Sequence, residues 1–272
     1  MSIDRKTIVL ISFLSMFNLL LLLLCISIPS YIYAEDIKGL QPLQPYGVFS
    51  TFSAESLRSK ELGIAIGIER TRSPDFYRIT TQAAYGLRDD MELHINIPYM
   101  LRYEQSIYGF EDLCLGFKHR VIDEGRYNPA LAYLLMASPG IGNSEFTTDG
   151  RIGAGLIISK KVGPFRGHGN LLIYAPFRSG LNREYLLNLG AELAIAHSTR
   201  VLGELVGRKN YFINRIDLLE WRIGLRQEVY EQTFVTIGAG FDIKDLKPQY
   251  RLMLLLSYII PTKKEPLKRV YE

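Results

Sequence analysis

Apolar residues alternate with small or polar residues along most of this 272-residue chain. Successive side chains of a β-strand point to opposite faces, so a period of two predicts strands with one apolar face. Leu62, Ile64, Ile66 and Ile68, for example, are separated by single smaller residues. The pattern predicts twelve strands, over residues 61–70, 76–87, 91–99, 112–122, 129–138, 151–161, 166–175, 185–197, 200–208, 217–227, 233–242 and 249–259. The alternation leaves open which residues of 129–138 and 166–175 share a face.

The connections between the strands alternate in length. Tight turns are predicted after every second strand, at 88–90, 123–128, 162–165, 198–199 and 228–232. Longer loops are predicted at 100–111, 139–150, 176–184 and 209–216. Ten-residue strands tilted near 45° rise roughly 23 Å, the height of the apolar band of an outer-membrane barrel. This parity predicts tight turns on the periplasmic side and longer loops outside.

The face opposite the apolar one consists mainly of glycine, alanine and scattered charges of both signs. A soluble sandwich or barrel, the alternative, would carry many Lys, Glu and Thr side chains on its solvent face. Small residues instead suit a crowded lumen, and the Leu- and Ile-rich face with terminal aromatics suits lipid. We therefore predict an all-β fold: a transmembrane antiparallel up-and-down β-barrel of about twelve strands, preceded by a helical signal peptide.

Eleven titratable side chains are predicted to line the lumen of this barrel. They are Arg78, Glu92, His94, Lys118, Arg120, Glu192, Glu204, Glu220, Arg222, Arg226 and Arg251. Because buried charges need partners, one interpretation is a paired network that braces the barrel. The other interpretation is a selectivity lining. A twelve-stranded barrel lies between small filled barrels and wide porins, so a narrow passage is expected.

The first residues have the order of a secretory signal peptide. Arg5 and Lys6 precede an uncharged apolar stretch over 8–28, and Ala34 ends a cleavage-site pattern. We predict a signal peptide over residues 1–34. An uncleaved membrane anchor is the alternative.

The remaining chain divides into three parts. Residues 35–60 are irregular and are predicted to be an N-terminal lead-in segment, which either enters the lumen as a plug or lies in the periplasm. The barrel is assigned to 61–260. A charged periplasmic tail is assigned to 261–272.

Candidate chemistry outside the lumen is sparse. The formal net charge of +4 is small and scattered, so no nucleic-acid partner is expected. The four histidines are dispersed, and no metal site, cofactor or catalytic residue is predicted. The predicted topology places every histidine away from the outer mouth, which disfavours a hydrolase at the barrel rim. We do not expect an enzyme.

Several short motifs recur in a known family. They are Lys60–Leu62, Tyr85–Asp90, Glu92–Leu93, Ile97–Tyr99, Gly109–Arg120, Ser138–Gly140 and Gly203–Leu205. Over roughly residues 60–260 the chain resembles the transporter-like outer-membrane barrels named for the MetA pathway of phenol degradation. The resemblance implies an outer-membrane channel or uptake protein, with aromatic or other hydrophobic small molecules as candidate solutes.

These observations predict a narrow channel or uptake protein for small solutes in the cell outer membrane of a Gram-negative bacterium. Its expected partners are outer-membrane lipid and a small-molecule solute. The alternative is a non-conducting structural or binding barrel whose loops at 100–111 and 139–150 contact a partner. A hydrolase at the barrel rim is a third hypothesis.

Overall fold

A computed structural model of the chain describes residues 39–72, 75–103, 107–211, 216–243 and 250–260. The predicted signal peptide (1–34), the first four residues of the lead-in segment and the predicted tail (261–272) lie outside the described residues. Within the described ranges, no helix is long and apolar enough to cross a membrane.

The described residues form fifteen β-strands. They are β1 (Gly47–Val48), β2 (Thr51–Phe52), β3 (Leu62–Thr71), β4 (Phe76–Arg88), β5 (Met91–Tyr103), β6 (Ile107–Phe110), β7 (Cys114–Ile122), β8 (Ala130–Ser138), β9 (Arg151–Val162), β10 (Phe165–Pro176), β11 (Glu184–Ala194), β12 (Thr199–Lys209), β13 (Ile216–Tyr230), β14 (Thr233–Asp242) and β15 (Tyr250–Ile260).

Twelve of these strands, β3–β5 and β7–β15, form a closed antiparallel barrel. Neighbours in sequence pair with one another, and β15 pairs with β3 from Arg251 opposite Thr71 to Ile260 opposite Leu62. Closure leaves the barrel without an unpaired sheet edge. Each of the twelve predicted strands is present, so the predicted antiparallel barrel is confirmed.

The two ends of the barrel differ in the length of their connections. At one end, which we call the short-turn end, two-residue turns at 89–90, 163–164 and 231–232 join neighbouring strands. At the other, the long-loop end, the connections include 139–150 and 177–183. The alternation of short and long connections is therefore as predicted except at 123–129, a predicted tight turn that is as long as the connection 177–183. We expect the short-turn end to face the periplasm.

The predicted loop at 100–111 is largely β-structure instead. β5 continues to Tyr103, and β6 pairs with it, Phe110 lying opposite Tyr99. The ladder then breaks, because Asp112 turns its carboxylate to the loop 139–150: Oδ1 accepts a hydrogen bond from Gly142 N (3.1 Å) and Oδ2 accepts one from Thr148 N (3.2 Å). The strand predicted to begin at 112 consequently begins two residues later.

The outward face of the barrel is apolar. Leu62, Ile64, Ile66 and Ile68 of β3 are all exposed on it. Such a continuous apolar band is what the hydrocarbon region of a membrane would cover. The two strands of uncertain parity are also settled, because the even-numbered residues of β8, and those of β10 from His168 to Tyr174, point inward and are buried.

Residues 39–57, which we call the plug, lie inside the barrel. β1 and β2 pair within it as a small antiparallel hairpin. Its apolar side chains, including Leu40, Phe52 and Ala54, are buried in one cluster with inward side chains such as Leu134 and Leu172. The sequence left open whether this segment enters the lumen, and the structure places it there.

Candidate functional site

Glycines on the inward faces of the strands make room for the plug. A Cβ added to Gly224 would lie 2.7 Å from the Phe49 ring, and one added to Gly190 would lie 3.0 Å from Thr51 Cβ. Real side chains essentially never approach at the first distance, so a larger residue at Gly224 would clash with Phe49 as well as with the carbonyl oxygen of Ile237 on the neighbouring strand. Some of the small residues that were predicted to face the lumen therefore lie where the plug comes closest to the wall.

Three neutral side chains bind the main chain of the plug. Asn170 on β10 binds Phe52 twice: its Oδ1 accepts from Phe52 N (2.6 Å) and its Nδ2 donates to Phe52 O (2.9 Å). Ser159 Oγ on β9 accepts from Ala54 N (2.9 Å). Asn188 Nδ2 on β11 donates to Ser50 O (3.1 Å). These contacts satisfy buried backbone groups that lack a full neighbouring strand.

Glu204 on β12 receives the tip of the plug hairpin. Its Oε1 accepts from Ser50 N (2.8 Å) and from Thr51 Oγ1 (2.6 Å). Its Oε2 lies 3.0 Å from Nη1 of Arg222 on β13. The carboxylate is thus shared between a plug donor pair and a wall cation, and such charge-assisted hydrogen bonds are stronger than neutral ones.

Lys118 on β7 holds the C-terminal half of the plug. Its Nζ donates to Ser53 O (2.9 Å) and Glu55 O (2.5 Å), and it lies 2.5 Å from Oε1 of Glu92. Oε2 of Glu92 in turn accepts from Leu57 N (2.7 Å). Lys118 and Glu92 are both fully buried. Loss of either the ion pair or the plug backbone would therefore leave buried polar groups without partners.

Arg226 on β13 holds the N-terminal half. Its guanidinium donates to Pro45 O (3.2 Å), to the Gln44 side-chain oxygen and to Gly47 O. Nη1 also lies 3.3 Å from Oε2 of Glu192. The planar, multi-donor guanidinium suits a turn that presents several oxygens at once.

A row of alternating acids and arginines crosses the lumen beside the plug, and we call it the charge chain. In order of contact its members are Glu111, Arg78, Glu69, Arg251, Glu220, Arg222 and Glu204. Glu220 Oε1, for instance, lies 2.8 Å from Arg251 Nε and 2.8 Å from Arg222 Nε. Every arginine of the chain therefore has acids on two sides, which offsets the cost of burying its charge.

Ser159, His168 and Glu192 lie in a row that resembles a nucleophile, a base and an acid. Ser159 Oγ lies 2.8 Å from His168 Nδ1, and His168 Nε2 lies 3.4 Å from Glu192 Oε1. All three residues are buried, and the serine hydroxyl already accepts the Ala54 amide of the plug. The row therefore serves to seat the plug, because a nucleophile must reach a substrate.

Ten of the eleven predicted lumen residues are buried inside the barrel. Those that form hydrogen bonds with the plug are Glu92, Lys118, Glu204, Arg222 and Arg226, and the His94 ring contacts the ring of Phe52. Arg78, Glu220 and Arg251 belong to the charge chain. His94 is paired with Glu92, and Glu192 is paired with Arg226. The eleventh, Arg120, is partly exposed near the short-turn end, where its Nε lies 2.8 Å from Asp123 Oδ1.

Several residues that hold the plug were missed by sequence reasoning. Asn170 lies on a strand whose parity was ambiguous, and neutral Ser159 and Asn188 carry no charge to single them out. Glu69 was not proposed for the lumen either, although it joins Arg78 to Arg251 in the charge chain. Asn170 lies opposite Asn188, and Ser159 lies opposite His168. These cross-strand polar pairs are the sequence signal that could have identified the first three.

A cavity of about 90 Å³ remains between the plug and one side of the wall. The hydrogen bonds of the plug go to β5, β7 and β9–β13, whereas the cavity lies mainly along β3, β4, β14 and β15 and also borders Asn96 of β5 and Arg222 of β13. Glu69, Arg78 and Arg251 of the charge chain line it, and Phe49 of the plug faces them. Space therefore remains beside the plug at this level, although Leu43 and Leu57 of the plug pack elsewhere against Ala65, Ala84 and Ile259 of β3, β4 and β15.

The loop 139–150 turns inward at the long-loop end. Phe146 is buried against Phe76 and Met100, which are inward residues of β4 and β5. The base of the loop is joined to the next loop by Arg178, whose Nε donates to Asp149 Oδ2 (3.0 Å). This hydrogen bond holds the pKa of the Asp149 carboxyl below its usual value.

Replacing Asn170 with leucine is expected to loosen the plug. The change removes both hydrogen bonds to Phe52, and each buried backbone group left without its partner costs about 1–3 kcal/mol. Hydrogen exchange of the purified barrel in micelles should show faster exchange of the amides of residues 50–54. Ser257→Ala, a buried inward position on β15, is the control. Unchanged exchange in Asn170→Leu would contradict the anchoring role.

No group of three or more His, Cys, Asp or Glu side chains in the described part of the chain could hold a metal ion.

Solved outer-membrane barrels have a similar fold. An outer membrane channel from Pseudomonas putida F1 superposes with a TM-score of 0.57 at 15% identity, covering 76% of this chain and 98% of that chain. The NanC porin gives 0.55 at 7% identity and the KdgM porin 0.54 at 9%, each covering 72% of this chain and 98% of its own. No protein-family model and no curated protein matches the sequence. The chain thus has the fold of outer-membrane channels, and the family suggested by its motifs stays a resemblance.

Proposed function

We propose that this protein is an outer-membrane channel for small solutes whose passage is restricted by the plug. The proposed location is the outer membrane of a Gram-negative bacterium, reached by way of the predicted signal peptide. A closed barrel with an apolar outward face supports the location. The similarity to barrels described as channels and porins supports the activity.

One observation carries the proposal: the plug occupies only part of the lumen. Its hydrogen bonds go to β5, β7 and β9–β13, and a cavity with buried charges remains between the plug and parts of β3, β4, β14 and β15. A barrel that served only as a rigid support would gain from a fully packed interior. A cavity with buried charges, beside a segment held by individual side-chain contacts, instead suits a restricted, adjustable passage.

The solutes are proposed to be small because the cavity has room for about three water molecules. Hydrophobic and aromatic molecules, implied by the resemblance of the sequence motifs, are candidates to be assayed. Passage of anything larger would require the plug to move.

The charge chain supplies a test of the channel. Arg222→Gln removes one positive charge from the lumen and Glu220→Gln removes one negative charge. We expect the first variant to become more cation-selective and the second more anion-selective, because lumen charge attracts the opposite ion. The reversal potential in a potassium chloride gradient across a planar bilayer measures both shifts.

Arg102→Gln is the matched control for that experiment, since Arg102 is an exposed residue near the long-loop end of β5, paired with Asp75. Its reversal potential should stay at the wild-type value. Absence of any conductance from both the wild-type protein and a protein without the plug would overturn the proposed channel.

The second candidate is a non-conducting barrel that binds a partner through its loops. The filled lumen and the inward loop 139–150 favour it. It predicts no conductance with the plug present or absent. It also predicts that replacing loop residues, rather than lumen residues, abolishes binding.

A further inference from the structure

A groove, which we call the outer groove, crosses the outward face of the barrel from β10 to β13. Its floor is formed by Ala191 and Gly203, which lie opposite each other on β11 and β12. A Cβ added to Gly203 would meet no atom within 4 Å, so the floor is open to a group that approaches from outside. The larger side chains around it are Phe165, Leu193, Val201, Trp221 and Ile223. All five are apolar, so the outer groove suits a hydrocarbon group.

The outer groove rises along the barrel from the short-turn end. Gly167, opposite Ala191, lies two residues from the start of β10, whereas Gly203 lies four residues from the start of β12. Ile223, opposite Gly203, is seven residues from the end of β13 at the same end of the barrel. Neighbouring strands are about 4.8 Å apart, so the groove is roughly 14 Å long. A hydrocarbon chain that enters it near β10 is thus led upward into the apolar band.

Basic side chains lie at the lower end of the outer groove. Lys160 of β9 lies opposite Gly167. Its Nζ donates to carbonyl oxygens of the connection 123–129, among them that of Arg126 (3.2 Å). It therefore extends toward the short-turn end, as lysines do at a membrane interface. Arg126 is exposed, and its guanidinium lies 5.3 Å from the centre of the Tyr127 ring.

The acids of this region are already paired. Glu124 Oε1 lies 3.4 Å from Lys160 Nζ, and Asp123 Oδ1 lies 2.8 Å from Arg120 Nε. Among the residues that the structure describes, Arg126 has no ion-pair partner. Its positive charge is therefore available to an anion, at the end of the barrel where the phosphate groups of one leaflet lie.

We propose that the outer groove binds one acyl chain of an anionic phospholipid, whose phosphate lies beside Arg126. The apolar lining contacts the chain, the rise of the groove leads the chain from the headgroup level into the apolar band, and the arginine attracts the phosphate. A groove this short offers much less than the roughly 800 Å² per partner of a stable protein interface, which disfavours a second copy of this chain as the occupant. The site goes beyond the proposed channel and rests only on the proposed membrane location.

Quenching of tryptophan fluorescence tests the site, because Trp221 borders the outer groove and is the only tryptophan of the chain. Its ring stacks on Phe241 with the ring centres 5.3 Å apart, which holds it in place. The barrel is reconstituted in phosphatidylcholine vesicles with increasing fractions of phosphatidylglycerol brominated on its acyl chains. Brominated phosphatidylcholine is the reference lipid. We expect phosphatidylglycerol to bind beside Trp221 about fivefold more strongly, the preference that one basic side chain gives an anionic lipid.

Two variants test the chain and the headgroup separately. Gly203→Leu fills the floor of the outer groove, and Arg126→Gln removes the positive charge beside the phosphate. We expect each change to lower the preference for phosphatidylglycerol to nearly that for phosphatidylcholine.

Each variant has a matched control. Gly207→Leu also adds a side chain to the outward face of β12, but outside the groove, where a new Cβ would meet its nearest atom at 3.8 Å. Arg102→Gln removes another exposed arginine that stacks over a tyrosine, 4.8 Å from the Tyr77 ring centre near the long-loop end. Both controls should keep the preference of the wild type.

Equal binding of the two lipids in the wild type, or a preference that either test variant retains, would overturn the proposal. Weak quenching that rises as the protein is diluted in lipid would assign the outer groove to a second copy and would overturn it as well. A protein that fails to enter the vesicles would refute the membrane location and this site together. A protein that binds the lipid without conducting would refute the channel alone and leave the site standing.

Discussion

Deleting residues 39–57 is expected to raise the single-channel conductance of the barrel about tenfold, since the lumen of a twelve-stranded barrel is wide enough to conduct once it is emptied. The deletion removes the hairpin and the apolar side chains that fill the space between the strands. The wall groups that held it, among them Lys118, Asn170 and Glu204, then face water. Water can satisfy their hydrogen bonds, so the barrel is expected to persist.

Planar-bilayer recording of single insertions measures the change. Heat-modifiable migration on a gel shows that the deleted protein still forms a barrel. Deletion of Ser179 and Gly180, in the exposed loop 177–183, is the control and should leave the conductance unchanged. A plug-deleted barrel that folds but conducts no better than the wild type would show that the plug is not the barrier.

Replacing Lys118 with methionine is expected to lower the free energy of unfolding by about 3–5 kcal/mol. The change leaves Glu92 buried with its cation removed, and it frees the carbonyl groups of Ser53 and Glu55. Denaturant titration of the barrel in vesicles, followed by tryptophan fluorescence of Trp221, measures the loss. The amides of residues 53–57 should also exchange faster.

A double variant separates the two causes of that loss. Adding Glu92→Gln to Lys118→Met removes the uncompensated charge but retains an oxygen that can accept from Leu57 N. We expect the double variant to recover a large part of the lost stability, so that the two changes are strongly non-additive. Additive losses would show that Lys118 and Glu92 act independently.

The wall of the barrel could be predicted from the sequence because the pattern that specifies each strand lies within that strand. A strand with one face toward lipid and one toward the lumen repeats every two residues, and β3 shows this without interruption. The sequence did not show which residues face the lumen in strands whose inner face is also apolar. Leu134 and Leu172 point inward to cover the plug, and this made the parity of β8 and β10 ambiguous.

The site could be predicted only in part, because its partners are distant in sequence. Lys118 and Glu204 were assigned to the lumen from parity, yet nothing near them indicates that they bind residues 50–55. The plug itself has no periodicity, since most of its bonds go to side chains of the wall rather than to a neighbouring strand. Its place therefore follows from the assembled barrel.

Side chains of the wall bind the plug mainly through the backbone of the plug. Asn170 binds the amide and carbonyl of Phe52, Ser159 and Asn188 bind single backbone groups, and Lys118 binds two carbonyls. Such contacts recognise the path of a peptide more than the identity of its residues. The wall can thus bind other sequences whose backbone follows the same path. A peptide designed with that backbone path is expected to block the lumen of a plug-deleted barrel when it is added separately.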